Sequence, residues 1–256
     1  MTVNAHYVPR FLTRPWETED RKLVYYDFSR RTILRNSSKK VLARLGLNSA
    51  TTEAWFSPIE ARAAAARTEL INECIGRSVG LRDADDLDDL LVLCALQLHR
   101  SGVALLPDHS LPSLEIHAAE VPAWTNLIAD AVRNTFVHFV RFDNDTSLHF
   151  PECGYFMIAN REIQNDVFVF PLTPHMSVFR ARRDGNIEWL SVVFEKRALL
   201  TALSVGHGPL ADRVIVPPDF SESLDDHELT AHMLELRGIA SAFATLSVAG
   251  QTNMLR

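Results

Sequence analysis

Residues 155–160 read YFMIAN, 166–173 DVFVFPLT, 177–183 SVFRARR and 187–194 IEWLSVVF. These four runs are rich in β-branched and aromatic residues, and Asp184-Gly185-Asn186 joins the last two as a hairpin turn. They predict a meander of antiparallel strands, with 147–216 as the strand-rich part of the chain. Upstream the apolar period is helical. Ile59, Ala63, Ala66, Leu70 and Cys74 recur on one stripe. Ser57-Pro58-Ile59-Glu60 offers that helix a cap serine, a first-turn proline and a glutamate at the third position. A second helix is expected from Asp83, where Asp85, Asp86, Asp88 and Asp89 crowd the positive end, to His99 and Arg100 before Gly102. A further helical stretch is expected over 122–138.

The chain opens differently. Residues 22–28 (KLVYYDF) and 31–35 (RTILR) read as a β-hairpin, and Ser37 is placed to cap a short helix ending near Gly46. Beyond the strands, helix is expected over 196–205, a short strand over 213–216 and a last helix over 224–248. Helices grouped before strands, rather than alternating with them, indicate α+β. The expectation is one domain over 1–256, an N-terminal hairpin and helical bundle packed with a C-terminal antiparallel sheet. Residues 1–140 would be mainly helical after the hairpin, and 222–249 would hold the C-terminal helix.

Composition bounds the class. The 256 residues are 47% hydrophobic and 23% charged, which suits a globular core. No apolar run approaches the length of about 18 residues that a membrane span needs, and MTVNAHYVPR lacks a secretory core, so a cytoplasmic protein without membrane contact is expected. The three cysteines, Cys74, Cys94 and Cys153, are odd in number and far apart, which points to reduced thiols rather than a disulfide framework or a thiolate metal site. Residues 1–44 hold ten Lys/Arg against four acids, so within a net charge of −6 the remainder carries −12. A basic segment on an acidic body suits a nucleic acid or a phosphate-bearing ligand, and equally a solvated basic face.

Several motifs fail on inspection. His227 and His232 bracket a Glu in the manner of a zinc-protease helix, but five residues separate them by about 140° around a helix, so one zinc ion does not reach both easily. Gly206-His207-Gly208 lacks the strand and the remaining glycines of a phosphate-binding turn. No nucleophile elbow and no Walker-type loop is present. Asp184 and Glu188 flank a hairpin as acids of metal-dependent nucleases do, yet Leu190 stands where the lysine of that motif is expected. No cofactor and no metal site is expected.

His6-Tyr7-Val8-Pro9-Arg10-Phe11-Leu12, followed by Tyr25-Tyr26-Asp27, resembles an uncharacterised, mainly bacterial family, the domain of unknown function forty-two thirty-eight. Ile59-Glu60, then Gln97 with Arg100-Ser101, and later Phe170-Pro171-Leu172-Thr173-Pro174 resemble further motifs of that family. Where the family shows Ser/Thr-Asp-x-Pro before the strands, this chain has Leu148-His149-Phe150-Pro151. The resemblance therefore supplies candidate residues and no function.

Taken together those residues suggest chemistry. His6 titrates near neutrality and suits a general acid or base, with Glu60 as its partner. Gln97 and Arg100, three apart on one helix, share a face that suits a carboxylate or phosphate. With Tyr7 and Arg10 as substrate-binding helpers, the set fits an enzyme acting on an anionic substrate, including a metal-independent nuclease. Each residue also has a structural explanation: Glu60 as a capping residue, Arg100 at a helix C terminus, Gln97 bonded to buried backbone, His6 pinning an extended arm. A non-catalytic interaction or regulatory module with a protein partner is the alternative. A solvent-open cleft holding His6, Gln97 and Arg100 favours the enzyme, and a sealed network favours the module.

Overall fold

The computed structural model describes residues 4–6, 8–45, 50–73, 79–82, 89–90, 92–94, 97, 135–141, 147–160, 165–182, 197–205 and 212–248. The chain is α+β, built on two antiparallel sheets and a two-stranded ribbon. The ribbon pairs β1 (Asn4–His6) with β4 (Ala43–Leu45). The four-stranded sheet runs β3 (Thr32–Ser37), β2 (Lys22–Asp27), β11 (Arg213–Val216), β7 (Phe150–Pro151). The five-stranded sheet runs β5 (Val79–Arg82), β6 (Thr135–Arg141), β10 (Met176–Arg182), β9 (Asn165–Thr173), β8 (Phe156–Asn160).

Period-two alternation explains why β2 is buried from Leu23 to Asp27 on both faces. Leu23 and Tyr25 join Val8, Leu12, Trp16, Val41, Ala63, Leu93 and Phe150 in one apolar cluster. Val24 and Tyr26 join Ala202, Val205, Leu229, Met233 and Leu236 in another. β11 splits the same way, Ile215 to the first cluster and Val214 with Val216 to the second. The sheet is thus a central layer. On one side lie α1 (Arg10–Thr13), the 3-10 turn Arg14–Trp16 and α2 (Ala50–Glu73). On the other lie α3 (Arg197–Ser204) and α5 (Asp226–Val248), with the short α4 (Pro218–Ser223) preceding α5.

The meander of β8, β9 and β10 forms as the sequence predicts. Pro171 sits inside β9 opposite Ser177, beside a register shift at Met176/Ser177, the kind of irregularity where a strand tolerates a residue without an N–H. The hairpin β2–β3, α3, β11 and the C-terminal helix also follow expectation. The described residues among 89–97 are helical. Asp184-Gly185-Asn186, Glu188 and the strand expected over 187–194 lie outside the described residues, as do Cys74, Asp83 and His99.

Three expectations are corrected. The stretch 135–138 is strand, not the end of a helix: the β-formers of TFVHFVR gain partners on both sides, β10 and β5, and sheet context overrides local helical reading. Ser37 caps no helix. Its hydroxyl oxygen accepts from the Lys39 N–H in a local turn, and Leu42 adopts a positive φ of 55° before β4 begins. Ser57 is no N-cap either, because α2 already starts at Ala50 and runs through Pro58; the Ser57 hydroxyl donates one turn back to the Glu53 carbonyl at 3.1 Å. The true capping box stands at α5, where Asp225 Oδ1 accepts from the N–H groups of His227 and Glu228 at 2.8 Å, and Glu228 Oε2 accepts from the Asp225 N–H at 3.0 Å. The N-terminal hairpin joins the four-stranded sheet through β2, which is hydrogen-bonded to β11.

Trp16 locks the first cluster. Its ring is fully buried, meets Phe150 edge-on at 5.0 Å, and its indole N–H donates to the Leu148 carbonyl at 2.8 Å. Trp16→Phe keeps most of the apolar contact and orphans that carbonyl. A loss of about 1–3 kcal/mol in unfolding free energy is expected, read from denaturant melts.

Candidate functional site

The residues singled out from sequence do not all converge. His6 lies in β1, its backbone opposite Ala43, while its side chain lies outside the described residues. Tyr7 and Arg100 also lie outside them. Arg10 opens α1, and its guanidinium donates to the Ser38 hydroxyl at 3.2 Å. Glu60 sits half-buried in α2. Gln97 is 2% exposed. A Cβ built on Gly154 would come within 3.0 Å of Gln97 Nε2 and 3.8 Å of a Val8 methyl. Val8 of the N-terminal motif, Gln97 and the turn after β7 therefore meet in the interior.

Gly154 carries a φ of +84°, so the site needs a residue without Cβ for two reasons, backbone and space. Gly154→Ala is expected to cost at least about 1–2 kcal/mol, measurable as a lowered denaturation midpoint.

Next to this turn runs a buried connection, Ser147 to Phe150. Buried irregular backbone requires partners for its polar groups, and here distant elements supply them. The Ser147 hydroxyl makes a short bond to the Asp219 carboxylate in α4. The Leu148 N–H donates to the Pro174 carbonyl at 2.7 Å, and its carbonyl receives Trp16. The His149 N–H donates to the Ser204 hydroxyl at 2.9 Å.

The His149 side chain differs. It is 0% exposed, and neither ring nitrogen has a hydrogen-bond partner among the described residues. Its ring stacks on Phe220 at 5.7 Å and lies 6.2 Å from His232, whose Nε2 is likewise buried and unpartnered. Burial, with a smaller push from His232, drives the His149 imidazole down to about 3. Burial also lowers His232, against an opposing pull from Glu235.

A cleft of about 630 Å³ opens beside the same connection. Pro15 and Ile71 form one wall, residues 173–176 between β9 and β10 another, and Pro218 with Asp219 a third. Its surface is mostly apolar, with the Asp219 carboxylate and the His175 ring as polar features. One turn before Ile71, Arg67 donates to the Leu172 carbonyl, 3.2 Å from its Nε. Burial pushes the Arg67 guanidinium down to about 10, and no carboxylate partners it among the described residues. That is a half-buried cation held against the strand that leads into the cleft.

Other candidates are quieter. Cys94 and Cys153 are free thiols; burial raises Cys153 to about 11, and its Sγ donates to the Tyr155 carbonyl at 2.9 Å. No group of three metal-ligating side chains occurs among the described residues. No helix of the described residues is long and apolar enough to cross a membrane. Arg35 of the basic segment is paired with Asp226 at 2.6 Å, while Arg14, Arg21, Arg31, Lys39 and Lys40 are exposed.

Residues 4–120 match the family described as a protein of unknown function, DUF4238. The resemblance drawn from the N-terminal motifs holds over that span. No curated protein and no solved structure matches the chain. Within the DUF4238 span lie Val8, Trp16, Arg67, Ile71 and Gln97, so the matched part supplies the buried motif contact and one wall of the cleft. Residues 147–150, 173–176 and 218–219, which complete both, lie beyond it.

The cleft and the histidine pair are what sequence reasoning missed. Each assembles from segments far apart in the chain, and His232 had been noticed only for a zinc motif it does not form. The depressed imidazoles carry a sign. A histidine held neutral in the fold but titrating near 6.5 when unfolded gives stability that is full above about pH 6.5 and lost as pH falls towards about 3. His149 alone is expected to give a slope of up to about 1.4 kcal/mol per pH unit in that window. His149→Phe should flatten it in melts between pH 7.5 and 5.

Proposed function

We propose that this chain is a non-catalytic regulatory module that recognises a ligand in the cleft between α2, the β9–β10 turn and α4. The observation that carries this reading is the burial of Gln97. The helix expected to present a catalytic face turns Gln97 inward against Val8 and Gly154, as a network that fixes the fold would. The open concavity lies elsewhere, walled mostly by Pro15, Ile71, Pro174, Met176 and Pro218, with Thr173, His175 and Asp219 as its polar residues. Its volume suits a small organic ligand, and such sites orient a mostly apolar body through a few polar groups.

A second reading keeps the anionic ligand that the basic N terminus suggests, including a nucleotide or nucleic acid handled by an enzyme through His6, Glu60 and Arg100. Arg67 favours it. A half-buried guanidinium without a carboxylate partner among the described residues is a charge that a phosphate or carboxylate would neutralise.

One screen separates the two. The full chain is melted with nucleotides, short RNA and DNA, divalent metals, and small apolar amines and carboxylates, alongside Ile71→Trp, which fills the cleft, and Arg67→Met. Ligand at a hundredfold over its dissociation constant adds about 2.7 kcal/mol of stability. The module reading expects an apolar ligand to raise the melting temperature of the wild type and not of Ile71→Trp, with no turnover of nucleotide or nucleic acid. Stabilisation by a phosphate-bearing ligand, lost in Arg67→Met, would replace that reading with the second.

A further inference from the structure

We infer that α4 is a proton-sensitive wall of the cleft, released when the buried His149–His232 pair takes up a proton. The inference rests on reading the cleft as a ligand site. Its geometry, however, stands independently.

Phe220 is the link. It stacks on His149, lies 4.8 Å from His232, and follows directly on Pro218 and Asp219, the two residues α4 gives to the cleft. α4 itself is short and contains no buried residue. Its hold on the body is therefore concentrated in one side chain: the Phe220 ring packs on the imidazoles and the edge of the second apolar cluster, and the Asp219 carboxylate adds its bond to Ser147. Elements with so few contacts open locally at a cost well below global unfolding.

The imidazoles are poised to use this weakness. His149 has two unpartnered nitrogens and His232 one, in a space walled by Phe220. A neutral ring tolerates such a site; an imidazolium, with no acceptor for its N–H groups, does not. Of the charged and titratable side chains on the elements against the pair (Asp219 and Glu222 on α4; His232, Glu235 and Arg237 on α5), His149 feels His232, and His232 feels Glu235. From α3 the neutral Ser204 hydroxyl meets the His149 backbone and donates in turn to the Thr201 carbonyl. Among the described residues no carboxylate is arranged to receive a charged His149. Protonation is thus satisfied by water, and water reaches the ring when Phe220 leaves it. Displacing Phe220 carries Pro218 and Asp219 with it and dismantles one wall.

Amide hydrogen exchange on the full chain at pH 7.5 and pH 5.5, corrected for intrinsic exchange, reads this directly. In the wild type, protection over residues 218–224 is expected to fall at least about tenfold at pH 5.5, while β2 and β11 keep theirs. In His149→Phe, and in His149→Leu should the first fail to fold, protection over 218–224 is expected to stay within about twofold between the two pH values. Unchanged protection in the wild type, an equal fall in β2 and β11, or the same fall in the variants would overturn the inference. Failure of every ligand to bind at pH 7.5 would instead remove the cleft reading and leave the exchange result intact.

Discussion

The peptide segment Ser147 to Phe150 crosses the interior as irregular chain, and buried polar backbone in that state has to be satisfied by something other than its own secondary structure. The fold is arranged to do this. Trp16 reaches the Leu148 carbonyl, the turn at Pro174 takes the Leu148 N–H, Ser204 receives the His149 N–H, and Asp219 receives the Ser147 hydroxyl. Four remote parts of the chain are thereby fixed to one short connection. The N-terminal turn, the five-stranded sheet, α3 and α4 all take their positions from it, and Phe150 continues straight into the central sheet as β7.

That arrangement explains why the cleft and the histidine pair are neighbours. Both form where the elements tied to 147–150 diverge: Pro15 beside Trp16, Pro174 at the end of β9, Asp219 at the start of α4. The single group on this connection left without partners is the His149 ring, and it is the one that faces α4 through Phe220. A polar group buried without partners has a cost of about 1–3 kcal/mol, and among the described residues of this connection the His149 ring is where that cost falls.

Much of the secondary structure was legible in the chain. Strands β2, β3, β8, β9, β10 and β11 declare themselves by β-branched and aromatic runs, and α5 by its length and acidic start, because these depend on local conformational preference and period. The misreadings share a cause. Ser37 and Ser57 carry correct capping chemistry at positions where neighbours decide otherwise, and residues 135–138 follow the strands on either side rather than their own sequence. Of the candidate site, Arg67, Ile71, His175 and Asp219 carry no local signature at all.

The sequence by itself determined the class, α+β, the meander, the hairpin and the likeness over the N-terminal part, since composition and short-range pattern suffice for these. Only the tertiary structure decided that β2 lies against β11, that Val8 and Gln97 meet at Gly154, and that His149 is sealed against Phe220 and His232. The physical reason is range. Propensity and period act within a few residues, whereas strand partnership, burial of a polar ring and the walls of a cleft depend on which distant segment fills the space beside it.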